Sequence, residues 1–288
     1  MTPFISIIIP TYNRANTLGN ALHSLTQQSF QDFEIIIVDD GSADKTKSVI
    51  KEFQQKNLQH KIIYVSQDNQ GPAIARNTGV EHARADIIVY LDSDDRLYSS
   101  ALEDIAWVLK DPKVLYGITN HNRTIRLLDK AGDEIARKFD VSGINKSATL
   151  EQICDWDIKI TSSGLFHRKQ LFDDGVRWRS GFWIEDLEFM LQLAAVAPSG
   201  FMHIPKVLVD YVQTYGGDGL CSNSSYNDWA HAFSSIYELH KNDPLMKNPN
   251  AYLDRIEKYK ELHAQVLKGK TPPPQYKYFP EVYGRNEQ

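Results

Sequence analysis

Four short β-branched runs, each closed by a polar or turn-forming segment and followed by an amphipathic stretch, constrain this chain more than any other feature. Residues 5–9 (ISIII) stop at Pro10. Residues 35–38 (IIIV) end in Asp39, Asp40, Gly41 and Ser42. Residues 62–65 supply a third run, and residues 87–91 a fourth that ends at Asp92, Ser93, Asp94 and Asp95. Continuous apolar runs of this length, bounded by turn residues, read as buried strands. Between them Leu18, Ala21, Leu22 and Leu25 fall at helical spacing, with Asn16 as the expected N-cap. Val49, Ile50 and Phe53 mark a second helix, and residues 71–83 a third. Alternating strands and helices imply a parallel sheet covered on both faces. Ligands of such sheets bind beyond the carboxyl ends of the strands. Three polar loops therefore converge on one edge: residues 11–14 (TYNR), Asp39 with Asp40, and residues 92–95 (DSDD).

The rest of the chain is less regular. Residues 101–109 read as a helix, 114–119 as a strand, 121–146 as a hairpin or loop, 158–167 as a strand and 187–195 as a helix. The Gly-, Ser- and Asn-rich stretch after Tyr211 reads as a mobile loop. Residues 226–240 and 250–268 read as helices, and the Pro- and Tyr-rich tail as extended. Apolar residues make up 42% and charged residues 24%, which suffices for a globular core. The net charge of -5, with basic residues scattered, gives no strong nucleic-acid signal. Lys258, Lys260, Lys268 and Lys270 are interleaved with Glu257 and Glu261, the pattern of a solvated helix face. The two cysteines, Cys154 and Cys221, lack metal-type spacing and suit a reducing compartment. No apolar run approaches membrane-spanning length and the first segment lacks a basic leader. The expected setting is the cytoplasm, with peripheral contact at the inner face of the membrane allowed.

The polar ends carry the chemistry. Asp92 and Asp94, alternating around Ser93, can turn two carboxylates to one ligand. Hard oxygen ligands suit Mg²⁺ or Mn²⁺, which complete their shells with substrate phosphates. An acidic loop capping a helix near Ser99 or Ser100 is the competing structural reading. Asp39 or Asp40 can accept from a base or a ribose hydroxyl, and Tyr12 can stack on the base, although Asp-Gly-Ser is equally a good turn. Arg14 reaches either a phosphate or solvent. Glu185 and Asp186 begin a helix, where the dipole favours carboxylates. Trp178 and Trp183 offer apolar faces to a sugar ring or to the core.

These segments resemble family 2 glycosyltransferases. The matching stretches are SIIIPTYNR at 6–14, VDDGSADKT at 38–46, DNQGPAIARNTG at 68–79, YLDSDD at 90–95, SSGLFHRKQL at 162–171 and WIEDLEF at 183–189. The resemblance implies a GT-A fold: a Rossmann-like, mostly parallel α/β sheet flanked by helices, here with a C-terminal helical extension. It implies a domain over residues 1–212, with a donor half at 1–98, an acceptor half at 99–212, and the extension at 213–288. It also implies an inverting transfer from a nucleotide-sugar donor, UDP-linked by preference, that depends on a divalent metal (Mn²⁺ or Mg²⁺). Pro10, Tyr12, Arg14, Asp39 and Asp40 would border the nucleotide. Arg76 would lie near the phosphates or Asp92. Asp92 and Ser93 would face the ribose or metal-bound water, with Asp94 and Asp92 as metal ligands. Asp186 resembles the base that deprotonates an acceptor hydroxyl, with Glu185 orienting the acceptor or supporting the loop.

One departure stands out. Family members often carry Tyr-Arg-x-His after the late strand, whereas Tyr211 is followed here by Val212, Gln213 and Thr214. The third metal ligand is then phosphate, water or a group such as Asp218, and His203 reads as structural. The expected acceptor is a glycan or lipid-linked saccharide, by analogy only. Alternatives are a catalytically silent nucleotide- or sugar-binding module, and a protein or modified DNA base as acceptor. A nucleotidyltransferase would carry a glycine-rich loop where this chain has Pro10 to Arg14.

Overall fold

The computed structural model describes residues 2–57, 61–128, 134–140, 146–155, 158–182, 184–215, 225–244 and 246–268. The expected alternation opens the chain: β1 (Ile5–Thr11), α1 (Leu18–Thr26), β2 (Phe33–Asp39), α2 (Thr46–Lys56), β3 (Lys61–Ser66), α3 (Pro72–His82) and β4 (Ile87–Tyr90). Then come β5 (Arg96–Leu97), α4 (Ala101–Val108), β6 (Tyr116–Leu128), β7 (Glu134–Asp140), α5 (Leu150–Cys154), β8 (Phe166–Arg168) and α6 (Lys169–Asp173). The last elements are α7 (Glu185–Val196), β9 (Phe201–Tyr215), α8 (Tyr226–His240) and α9 (Pro249–Leu267).

The strands form one sheet in the order β3-β2-β1-β4-β8-β6-β9-β5, with β7 paired to β6. Strands β1 to β4 are mutually parallel, as the sequence pattern implies. The second half is mixed, because β8 pairs antiparallel with both β4 and β6, while β6 and β9 run parallel. Side chains alternate across the sheet. Ile5, Ile7 and Ile9 join Leu22, Ile50 and Ile105 on the α1, α2 and α4 side. Ile8 joins Ala73, Leu187, Phe233 and Tyr252 on the α3, α7, α8 and α9 side. The C-terminal helices thus share the main core, and the Tyr252 hydroxyl donates to the Cys154 carbonyl.

Some expectations change. Helix α1 starts one residue after Thr17 rather than at an Asn16 cap, and its cap position has no side-chain hydrogen bond. The reason is that the preceding loop is tied elsewhere, to the loop after β2. Residues 158–165 form no strand, because a turn at Gly164 (φ 80°) brings two serines toward β4 instead. Tyr211 to Thr214 lie inside β9. The expected mobile loop beyond Tyr215 falls outside the described residues, as do Trp183, Asp218, Cys221, Lys270 and the tail.

Helix α3 lies close on β1. A Cβ on Gly79 would sit 2.3 Å from Ile8 Cγ2, and Ile8 is fully buried. Gly79→Ala is therefore expected to destabilise by about 1–3 kcal/mol through overpacking, despite a helix-propensity gain. Gly19→Ala in α1, where a Cβ meets nothing within 4 Å, should instead stabilise slightly. Thermal melts of the two proteins check the contrast, and equal midpoints would refute the packing argument.

Candidate active site

The loops after β1 and β2 are laced together. Asn13 takes positive φ (51°), and its Oδ1 accepts from Ala43 N at 2.8 Å. In return Asn13 N donates to Ser42 Oγ, Arg14 N to Thr46 Oγ1 and Ala15 N to Asp44 Oδ2, at 2.9, 2.9 and 3.0 Å. These bonds hold Tyr12, which is 46% exposed, on the rim above the strand ends.

The neighbouring aspartates have different surroundings. Asp39 accepts from Ser42 N and from the Tyr64 hydroxyl, both at 2.9 Å, one bond to each oxygen. Asp40 accepts from Gln67 Nε2 at 2.7 Å, Gln70 N at 2.9 Å and Gly71 N at 2.8 Å. Its carboxylate faces the start of α3, where unpaired N–H groups and the helix dipole favour negative charge. Pro10 is buried within β1.

The acidic segment after β4 is a turn closed by Asp95 N on the Asp92 carbonyl. Ser93 is buried, whereas Asp92 and Asp94 are half-buried. Burial and the charge of Asp92 push Asp94 up to about 6. Arg14 Nε lies 3.9 Å from Asp94 Oδ2, so Arg14 reaches the acidic turn. Asp95 is fully buried; it accepts from Ser163 Oγ and from Val212 N on β9. Ser163 also accepts from Asp92 N. The turn is thereby fixed to two later parts of the chain.

Arg76 is the centre of the arrangement. Its Nη2 donates to Asp92 Oδ1 at 2.8 Å and to Ser162 Oγ at 3.1 Å, and its Nη1 donates to Glu185 Oε2 at 2.9 Å. Ser162 donates in turn to Asp92 Oδ2. The guanidinium lies 4.4 Å from the Trp178 ring centroid. Burial alone would lower the pKa of Arg76, but the charges of Asp92 and Glu185 outweigh it and raise it. A planar fork can span two carboxylates in this way.

Glu185 and Asp186 are the first residues of α7. Burial raises the Glu185 carboxyl although Arg76 opposes the shift. Asp186 accepts from Leu187 N at 2.9 Å. Burial, reinforced by the charges of Asp92 and Glu185, pushes Asp186 up to about 7. Beneath this pair, Trp178 and Phe189 stack at 4.2 Å with an interplanar angle of 5°, and Tyr90 meets both edge-on. Trp178 is 1% exposed and therefore packs in the core rather than under a sugar.

The residues fit a divalent ion in their chemistry. Two carboxylates sit on one turn, and burial together with the neighbouring Asp92 makes Asp94 hold its proton more tightly, so a cation would relieve both. Among the described residues no cluster of three or more His, Cys, Asp or Glu side chains is arranged as a metal site. That suits an ion held by one or two carboxylates plus substrate phosphates. His203 is structural: its Nδ1 accepts from Ala148 N, leaving Nε2 to donate to Asn120 Oδ1.

The structure brings Arg14, Arg76, Asp92, Asp94 and Glu185 into one connected set, with Asp186 beside it. Asp39 and Asp40 lie on the adjacent loop. Sequence reasoning gave no individual role to Ser162, Ser163, Asn77 or Asp95. The signal for the serines was the Ser-Ser-Gly turn that interrupts the apolar run at 158–167.

Carboxylates and a bridging arginine gathered at one edge of an α/β sheet suit a glycosyltransferase domain. Residues 6–169 match glycosyl transferase family 2, and the chain belongs to that family. It is similar to the GalNAc(5)-diNAcBac-PP-undecaprenol beta-1,3-glucosyltransferase of Campylobacter jejuni, at 32% identity over 150 residues. That match covers 52% of this chain and 46% of the relative, so the likeness spans less than half of the relative's length. In fold it resembles S. aureus TarS 1–349 in complex with UDP-GlcNAc, with a TM-score of 0.68 at 20% identity, covering 94% of this chain and 76% of that one. It also resembles the mannosyltransferase PcManGT from Pyrobaculum calidifontis in complex with GDP-Man and Mn²⁺. That TM-score is 0.67 at 17% identity, covering 95% of this chain and 77% of the other.

Proposed function

We propose that the protein is an inverting glycosyltransferase that moves a sugar from a nucleotide-diphosphate donor, preferably a UDP-sugar, to an acceptor hydroxyl. The acceptor is a glycan or lipid-linked saccharide, a reading that leans on the undecaprenol-linked saccharide in the name of the Campylobacter relative. The observation that carries the proposal is the Arg76 bridge, which ties the carboxylate turn after β4 to the helix start bearing Asp186. Donor-binding groups and a proton acceptor are thereby held around one point.

Residues 1–98 take the donor and residues 99–212 shape the acceptor side. Asp39 is the base-bonding aspartate: each of its oxygens accepts one bond, from Ser42 N or the Tyr64 hydroxyl, whereas the Asp40 carboxylate already accepts from Gln67, Gln70 and Gly71. Tyr12 covers the base, while Arg14 and Arg76 supply positive charge near the diphosphate. Asp94, with Asp92, would hold a divalent ion, whose chemistry there is to neutralise charge on the departing nucleotide. Asp186 takes the proton from the acceptor hydroxyl, and its raised pKa suits a base working near neutrality. Glu185, held by Arg76, supports that helix start. A single carboxylate base suffices for one displacement, which inverts the anomeric centre. No helix among the described residues is long and apolar enough to cross a membrane.

A calorimetric screen of nucleoside diphosphates and nucleotide sugars, with and without Mn²⁺, tests the donor site. UDP binding is expected to tighten in Mn²⁺, and Asp94→Ala to remove most of that enhancement, about tenfold or more in affinity. If no nucleotide binds under either condition, the chain is not a transferase of this kind. If Asp94→Ala keeps the full enhancement, the ion is held elsewhere.

A further inference from the structure

Asn77 stands beside Arg76 on α3 and meets the same loop. Its Nδ2 donates to the Trp178 carbonyl at 2.8 Å, and its Oδ1 accepts from Trp178 N at 3.0 Å. One amide side chain thus satisfies both backbone polar groups of a single residue, as a neighbouring strand would. Residues 176–179 belong to no helix or strand, so these bonds replace a ladder that the segment lacks.

From α7, a second amide grips the adjacent residue in the same manner. Gln192 accepts from Arg177 N at 3.3 Å and donates to the Arg177 carbonyl at 2.7 Å. Arg179 reaches the fully buried Glu188 at 3.0 Å. The segment is therefore clamped to α3 on one hand and to α7 on the other. Its indole carries the Arg76 guanidinium at 4.4 Å and stacks on Phe189, one turn beyond Glu185 and Asp186.

We propose that Asn77 is a positioning residue for sugar transfer: by fixing Trp178 it holds Arg76 in its bridge between Asp92 and Glu185. The start of α7 is thereby registered on the acidic turn. The role rests on the reading of Asp186 as the base. An arginine free to swing could pair with only one carboxylate at a time, and small displacements of a catalytic group cost large factors in rate. Asn77 touches no reacting group itself; it acts through Arg76.

Residues that act through one another are non-additive, which a double-mutant cycle reads directly. The full chain is assayed for UDP affinity in Mn²⁺ and for diphosphate release from UDP-GlcNAc, UDP-glucose, UDP-galactose and GDP-mannose. Asn77→Ala is expected to keep UDP affinity within about twofold and to slow release at saturating donor about tenfold or more. In an Arg76→Lys background, which keeps the charge but loses the fork, Asn77→Ala should slow release no further than about twofold. Equal slowing in both backgrounds, or none in either, overturns the proposal. If Asn77→Ala does not fold, Asn77→Asp, which keeps the acceptor and loses the donor, completes the same cycle. A parent protein that binds and turns over none of these donors fails the functional reading itself and overturns both.

Discussion

Asp186→Asn is expected to bind UDP in Mn²⁺ as the parent does, yet to turn over its nucleotide sugar about 10²–10⁴-fold more slowly. The amide keeps the shape of the side chain and loses only the capacity to take a proton. Because burial and the nearby Asp92 and Glu185 push Asp186 up to about 7, the parent's turnover should rise from pH 6 to 8 with a midpoint near neutrality. The same shift has a consequence for stability. A carboxyl whose folded pKa is raised stabilises fully below its unfolded value, about 3.9, and loses that contribution as pH rises through about 7. Asn carries no charge to bury, so the variant should melt at or above the parent's temperature at pH 8. That difference should narrow as pH falls through about 7 and vanish only below about 4. A variant that retains the parent's rate would place the base elsewhere.

Arg76→Ala is expected to produce the largest loss of stability of any substitution at the site, about 3–5 kcal/mol at neutral pH. The side chain is 7% exposed and lies against Asp92 and Glu185, which are themselves 22% and 15% exposed. Removing the guanidinium leaves two carboxylates partly desolvated without a counter-charge. They can respond by binding protons, so the deficit should shrink as pH falls toward 5. Arg76→Lys keeps one charge and should cost less, although an ammonium cannot span both partners. Denaturant titrations at two pH values measure both effects. A loss below about 1 kcal/mol for Arg76→Ala would mean that the bridge is not a stabilising contact.

The parts of the fold that follow from local pattern were readable from the chain. The apolar runs of β1, β2 and β4 are continuous because both faces of those strands are buried, and their polar ends follow at once, whereas β3, at the sheet edge, is only half-buried. Asp39, Asp92 and Asp94 stand out in sequence for the same reason, and Glu185 with Asp186 as a carboxylate pair at a helix start. What local pattern does not encode is pairing across distance. Ser163 is bonded to Asp92 and Asp95, and Asn77 to Trp178, across 71, 68 and 101 residues. The stretch at 158–167 is apolar enough to read as a strand, and only the positive φ of Gly164 shows why it turns. Trp178 offered a choice between ligand and core that composition could not resolve. Its stacking on Phe189 decides for the core.

Strand order carries a consequence for how the protein is made. β5 follows β4 in the chain but lies at the far edge of the sheet, beside β9, with Arg96 opposite Asp210. Asp95 receives its bond from Val212, 117 residues later. At ordinary synthesis rates that segment leaves the ribosome on the order of ten seconds after the turn it completes. β1 to β4 can pair during that interval, but the acidic turn must wait for β9. A nascent chain halted between β4 and β9 would therefore hold the parallel half of the sheet without the bond from Val212 that fixes its acidic turn. One halted before β8 would also leave unpaired the edge of β4 that β8 later covers, and would expose it to its neighbours on the same messenger.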